Sequence, residues 1–241
     1  MTRSWGAIDD DKSFEVIIDN LMNLELMFWA SQHGAGNKTL MDMATSHAKR
    51  TGELWIRGDG STAHLCVFDP KTGKLQKACT GTPQGLSANS TWARGQGWAI
   101  YGFTLAHRYT GDAEFLKYAT TTADYFIKAS PKDQVPLWDF KAVAPQDYKD
   151  TSSAAIAASA LLELAIATKE SKYRDEAVKI IESIATEKGL TSISGQAVLA
   201  ANQHDCKSAG CTLIETDYYY YEALRRMAGE FPPSHARVKT H

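Results

Sequence analysis

Apolar residues recur at helical spacing in seven stretches of the chain: Phe14–Ser31, Thr39–Arg50, Ala93–Tyr109, Ala113–Lys128, Ser152–Thr168, Tyr173–Thr186 and Tyr218–Met227. A period of three to four residues predicts a helix at each. Strand-like alternation is confined to 54–77, where Ala63-His64-Leu65-Cys66-Val67-Phe68 is followed by Asp69-Pro70 and a Thr72-Gly73 turn. This pattern predicts one small β-hairpin. The helices also come in pairs with related connections. Leu105–Asp112 and Leu164–Ser171 each close a helix and are followed by an aromatic residue and then an alanine, and Phe28–Gly34 is similar. A helical hairpin is therefore the organising unit, and such units bury their apolar faces only by stacking or by closing into a ring.

Charge separates inner from outer helices. Trp98–Phe103 and Ala154–Ala160 are almost free of charge and rich in small or aromatic side chains, whereas Tyr173–Lys179 keeps a polar stripe. Their alternation favours an α/α toroid over an open α-solenoid. The expected fold is all-α, with residues 1–241 forming one domain. At 241 residues, 44% hydrophobic and 22% charged, the chain has the composition of a globular protein with a substantial core.

A formal charge of −2, with both signs interspersed, gives no electrostatic reason to expect nucleic acid or an anionic membrane as partner. No apolar run is long enough to cross a bilayer, and MTRSWGAIDDDK lacks the apolar body of a secretory signal. The cytoplasm is slightly favoured on that basis, although a segment ahead of Met1 could carry a signal. The four cysteines, Cys66, Cys79, Cys206 and Cys211, form neither a dense disulfide framework nor a metal-binding Cys-x-x-Cys pair. Reduced thiols are at least as expected as a bond between Cys206 and Cys211. Nothing in the sequence points to a particular oligomeric state.

The most unusual segment is Thr91-Trp92-Ala93-Arg94-Gly95-Gln96-Gly97-Trp98, which gathers two indoles, a guanidinium and an amide around two glycines at the start of an apolar helix. Trp92 and Trp98 offer flat faces to a pyranose, and Arg94 can grip a carboxylate through two parallel hydrogen bonds. Gly95 and Gly97 cost helix stability, which makes sense where backbone or ligand approaches closely. Asn89, Ser90 and Thr91 are candidate caps, and such a helix start presents N–H groups to an anion. The plainer alternative is that Arg94 and Trp98, one turn apart, stack and fill the core. Taken singly, each residue favours that alternative; together they favour a sugar acid.

Asp19, Asn20 and Asn23 interrupt the apolar Val16–Leu24, with Asp19 and Asn23 on one face of the expected helix. A carboxyl group there loses solvation, which favours the protonated form that a general acid needs. A lone Asp would more commonly just bond neighbouring amides. His64 lies in the polar Asp59–His64 loop and Gln84 in Thr82-Pro83-Gln84-Gly85, each a candidate ligand contact or an ordinary loop residue. Asp150, ahead of Thr151-Ser152-Ser153, reads first as a helix cap. Tyr218–Tyr221 read first as packing, with one or two hydroxyls toward a cavity. No His/Cys cluster, Gly-x-Ser-x-Gly elbow, phosphate loop or dinucleotide fingerprint is present, so neither a metal nor another cofactor is expected.

Taken in order, Val16–Leu24, Asp59–His64, Gln84-Gly85, Trp92–Trp98, Asp150–Ala155 and Asp217-Tyr218-Tyr219 resemble the unsaturated glucuronyl hydrolases, glycoside hydrolase family 88, over nearly the whole chain. The resemblance implies an (α/α)6 toroid and a substrate whose non-reducing end is a 4,5-unsaturated uronic acid left by a polysaccharide lyase. It implies that Asp19 is the acid/base and that His64, Gln84, Trp92, Arg94 and Trp98 line the substrate pocket, with Trp5 as a further pocket tryptophan. Gly97 stands where the family usually has alanine. A closed ring of six hairpins needs more helices than the seven expected here, and the family carries a further active-site aspartate upstream of this sequence. The isolated chain is therefore expected to be nearly inactive and to expose apolar surface. Alternatives are an unsaturated galacturonyl hydrolase acting on pectin fragments and a noncatalytic carbohydrate-binding or interaction toroid.

Overall fold

The computed structural model describes residues 1–34, 37–145, 147–185, 190–193, 197–202 and 211–230. Within them lie seven α-helices: α1 (Leu24–Gln32), α2 (Asn37–Trp55), α3 (Ala93–Thr110), α4 (Ala113–Ala129), α5 (Thr151–Thr168), α6 (Ser171–Ile184) and α7 (Ile214–Met227). They alternate between an inner and an outer layer of a toroid. α5 packs against α3 on one side and α7 on the other, with α6 outside it, and α4 lies outside α3. The expected helices are all present, with one substantial correction at the first.

Phe14–Ser31 is not one helix. Phe14–Ile17 is a strand, β1; Ile18–Asn23 is a 3-10 helix, and only Leu24 begins α1. Val16 and Ile18 are buried and alternate with the half-buried Glu15 and Ile17, a pattern that fits a strand as well as a helix. Pairing decides the conformation, because β1 adds antiparallel to β2 (Leu65–Phe68), which pairs with β3 (Leu75–Thr80). The hairpin expected in 54–77 is thus the middle and far edge of a three-stranded sheet, and it starts later because α2 runs on to Trp55. A second sheet, β4 (Leu190–Ile193), β5 (Ala197–Asn202) and β6 (Cys211–Thr212), was not expected. Thr186, at the end of the expected sixth helix, lies outside the described residues.

The β2–β3 pairing brings Cys66 and Cys79 to a Cα separation of 4.4 Å, and they form a disulfide. This corrects the expectation of reduced thiols. The alternative bond fell on Cys206, which lies outside the described residues, and on Cys211, whose side chain does too. A second correction concerns α5, which is by length and composition apolar enough to cross a bilayer. Its place explains that composition: Ala154–Ala158 and Leu161 are sealed between α3, α6 and α7. Phe28, Phe103, Phe115 and Phe126 complete the core, each burial contributing roughly 1.5–3 kcal/mol.

Four inner helices are also joined by a line of buried charges. Arg108 on α3 bonds Glu25 of α1 at 2.7 Å and both oxygens of Glu163 of α5 at 2.8 Å. Arg226 of α7 reaches Glu163 at 3.0 Å and Glu222 at 3.5 Å, and donates to the Ser159 carbonyl at 2.7 Å. Three carboxylates thus share two guanidiniums. The surplus falls on Glu25, whose carboxyl is held above its ordinary pKa by burial and by Glu222 and Glu163, against the pull of Arg108. α1 and α7, at the two ends of this line, leave Leu26, Ile214, Tyr218 and Tyr221 exposed.

Candidate functional site

The site begins with the backbone of His64. Its carbonyl accepts from the Ile18 N–H and from Trp55 Nε1, both at 3.0 Å, and its N–H donates to the Thr80 carbonyl at 2.7 Å. The 3-10 turn, α2 and the end of β3 thereby fix one residue. Its ring is buried, with Trp92 edge-on at 4.9 Å and Trp5 at 5.9 Å between centroids. Trp5 reaches it because Ser4 N–H bonds Glu15 O at 2.8 Å, laying the N-terminal strand along β1.

Asp19 follows directly from the Ile18 anchor. The 3-10 turn carries its carboxylate to 3.4 Å from His64 Nε2, with the side chain 27% exposed. Asp19 is therefore part-exposed rather than sealed inside, as an unbroken apolar helix would have placed it. The approach is not a hydrogen bond: Asp19 Oδ1 and both nitrogens of His64 are buried without a hydrogen-bond partner, as is Trp98 Nε1. Buried polar atoms ordinarily have partners, so the adjoining Asp19 and His64 atoms are available to bond water or a ligand.

Arg94 is buried beneath this group. Its guanidinium lies 4.8 Å over Trp92, not over Trp98 as simple one-turn stacking requires. Nη1 donates to Ser152 Oγ at 3.1 Å and stands 4.0 Å from Glu215 of α7. Trp98, one turn further along α3, meets Tyr219 edge-to-face at 5.3 Å, while Tyr218 and Tyr221 face outward. Gln84 is half-buried on the loop between β3 and α3. Asp139 pins that loop by accepting from Leu86 N–H at 2.9 Å and Ser90 Oγ at 2.7 Å.

One reading of the Trp-Arg segment needs correction. α3 has no side-chain cap from Asn89, Ser90 or Thr91; Trp92 is the N-cap residue, and the Ala93 N–H is taken by the Trp138 carbonyl at 2.9 Å. Gln96 is structural: its amide bonds Gly60 O and Thr122 O, each at 2.9 Å, and accepts from Thr62 at 3.0 Å. The glycines serve close packing. A Cβ at Gly95 would lie 3.0 Å from the Trp92 ring, and one at Gly97 would lie 3.2 Å from the Ser153 carbonyl of α5.

Asp150 does cap α5, accepting from the N–H groups of Ser152 and Ser153. Burial pushes its carboxyl above the ordinary pKa, with Arg94 and the Ser152 bonds pulling the other way. A carboxyl with a raised folded pKa contributes stability that is full below its unfolded value, 3.8, and is lost as pH rises through the folded value. Asp150→Asn keeps the capping oxygen without the titration. The melting temperature of the variant relative to wild type should therefore climb as pH is raised from about 4 toward neutrality; a constant difference would contradict this. Ser152 and Glu215 are the contacts of Arg94 that sequence reasoning did not single out. Ser152 carried a signal in its place beside Asp150; Glu215, far along the chain, carried none. Among the described residues, no group of three His, Cys, Asp or Glu side chains is placed to hold a metal.

Comparison with known proteins gives the family. Residues 3–229 match Glycosyl Hydrolase Family 88. The chain belongs to that family. Among curated family 88 relatives, an unsaturated glucuronyl hydrolase of Formosa agariphila is 37% identical over 232 residues, covering 93% of this chain and 57% of its own length. The crystal structure of an unsaturated glucuronyl hydrolase specific for heparin superposes with a TM-score of 0.84 at 34% identity, over 94% of this chain and 62% of that one. That of the Streptococcus agalactiae enzyme gives 0.86 at 29% identity, over 96% and 60%. The chain thus spans about three fifths of the length of these family 88 proteins, which share its toroid.

Proposed function

We propose that this chain carries the acid/base and the uronate-binding wall of a hydrolase that removes a 4,5-unsaturated glucuronyl residue from the non-reducing end of lyase-generated oligosaccharides. The observation that supports this reading is the meeting of Asp19 and His64, with their unsatisfied buried atoms, beside a guanidinium stacked on Trp92. Arg94 would receive the sugar carboxylate and the indoles of Trp92 and Trp98 the ring, while His64, Gln84 and Trp5 bound the pocket.

The reaction starts at an enol ether rather than an ordinary acetal. Asp19 gives its proton to C4, the C4–C5 double bond is consumed, and positive charge develops at C5 with help from the ring oxygen. Water adds at C5 and surrenders a proton to the Asp19 carboxylate, which restores the acid. The hemiketal then opens, C1 becomes an aldehyde and the remaining saccharide leaves as an alcohol. One carboxyl serves both proton transfers, so a second one flanking the glycosidic bond is not demanded as in ordinary glycosidases.

The test is loss of the ultraviolet absorbance of the double bond from an unsaturated glucuronyl disaccharide. It should be run with the 241-residue chain and with a form completed by the upstream hairpins of a family 88 relative. The completed form should turn the disaccharide over and the short form should do so far more slowly. An inactive completed form, or one that cleaves only the galacturonyl analogue, would overturn the proposal.

A further inference from the structure

A helix cap requires only that Asp150 accept backbone N–H bonds, and it does so from Ser152 at 2.9 Å and Ser153 at 3.2 Å. The same oxygen, Oδ1, also accepts the Ser152 hydroxyl, a contact that capping does not require. With its proton committed to Asp150, the hydroxyl turns its lone pairs outward, and Arg94 Nη1 donates into them at 3.1 Å. All three side chains are buried, on two helices that pack directly together. A guanidinium recognises a carboxylate only when its fork is held in the right plane. Stacking on Trp92 sets that plane, and the bond from Nη1 to Ser152 helps to fix the guanidinium within it.

We propose that Asp150 and Ser152 are a positioning pair for Arg94: the Asp150 carboxylate orients the Ser152 hydroxyl, which holds the guanidinium in the orientation that meets the sugar acid. This rests on the uronate-binding reading above for its ligand, but not for its geometry. The roles are distinct: Arg94 touches substrate, whereas Ser152 and Asp150 act through Arg94.

The experiment has two arms on the 241-residue chain with Ser152→Ala and Ser152→Thr. In the first, nitrogen-15 spectra record the Arg94 guanidinium, assigned by its disappearance in Arg94→Lys. Wild type and Ser152→Thr should show separate, slowly exchanging Nη signals, and Ser152→Ala should merge them. In the second, affinities are compared for an unsaturated glucuronyl disaccharide and for its uncharged methyl ester. Ser152→Ala should weaken the acid about tenfold, as expected for one hydrogen bond to a charged group, and leave the ester unchanged, with Ser152→Thr restoring the preference. Unmerged Nη signals in Ser152→Ala would overturn the positioning pair whatever the ligand does. Wild type that does not distinguish acid from ester would instead overturn the uronate reading, and the spectra would still decide the pair.

Discussion

Asp19→Asn should reduce hydrolysis of an unsaturated glucuronyl disaccharide by about 10²–10⁴-fold, the range attached to removing a general acid or base. The upper end is expected, because one residue is assigned both proton transfers. Asparagine has nearly the same shape and can keep its place 3.4 Å from His64, so the sugar should still bind within a few-fold of wild type. The measurement is a pair: turnover by absorbance in the completed form, and affinity by titration in both forms. Turnover that survives the substitution would move the acid elsewhere. Loss of affinity together with turnover would make Asp19 a binding residue.

The second large effect concerns stability. Arg226→Met should destabilise the fold by about 3–5 kcal/mol, because it strands Glu163 and Glu222 inside the protein with one cation fewer. The guanidinium earns this importance through its partners. Burial opposes its charge, yet Glu163, Tyr101 and Glu222 outweigh that opposition and hold it above its ordinary pKa. It also bonds the Ser159 carbonyl, while Glu222 takes hydrogen bonds from Tyr101 and Ser159. For a domain of this size, each kcal/mol corresponds to roughly 2–4 °C of melting temperature. A fall of about 6–20 °C is therefore expected for Arg226→Met. Arg226→Lys, which keeps the charge but not the fork, should fall between it and wild type. A melting point unchanged by Arg226→Met would show that the line of charges contributes little to holding α3, α5 and α7 together.

Much of the fold was legible because its helices are long and their apolar period is regular. α3 to α6 start and stop within about two residues of the expected limits, and Asp150, read as a helix cap, does cap α5. What was not legible depends on pairing across the chain. Phe14–Ile17 has the local pattern of a helix and becomes a strand only because β2 lies beside it, which also turns Asp19 toward His64. The Cys66–Cys79 bond follows from the same sheet and has no signature in cysteine spacing.

The site divides in the same way. Residues clustered in sequence, Trp92, Arg94 and Trp98, suggested a sugar-acid surface through their chemistry, which remains the proposal. Their bonding partners did not, since Ser152 and Glu215 arrive from α5 and α7. Gln96 belongs to the same unusual segment but was given no role of its own, and its amide ties the 60–62 loop to α4.

The decisive measurement is a crystal structure of Asp19→Asn, completed with the upstream hairpins, bound to an unsaturated glucuronyl disaccharide. The account predicts the sugar carboxylate on the Arg94 guanidinium and C4 of the double bond about 3–3.5 Å from the residue 19 side chain, the separation of reacting atoms in a near-attack arrangement. A saccharide bound with its double bond turned away from residue 19, or its carboxylate on another cation, would contradict it.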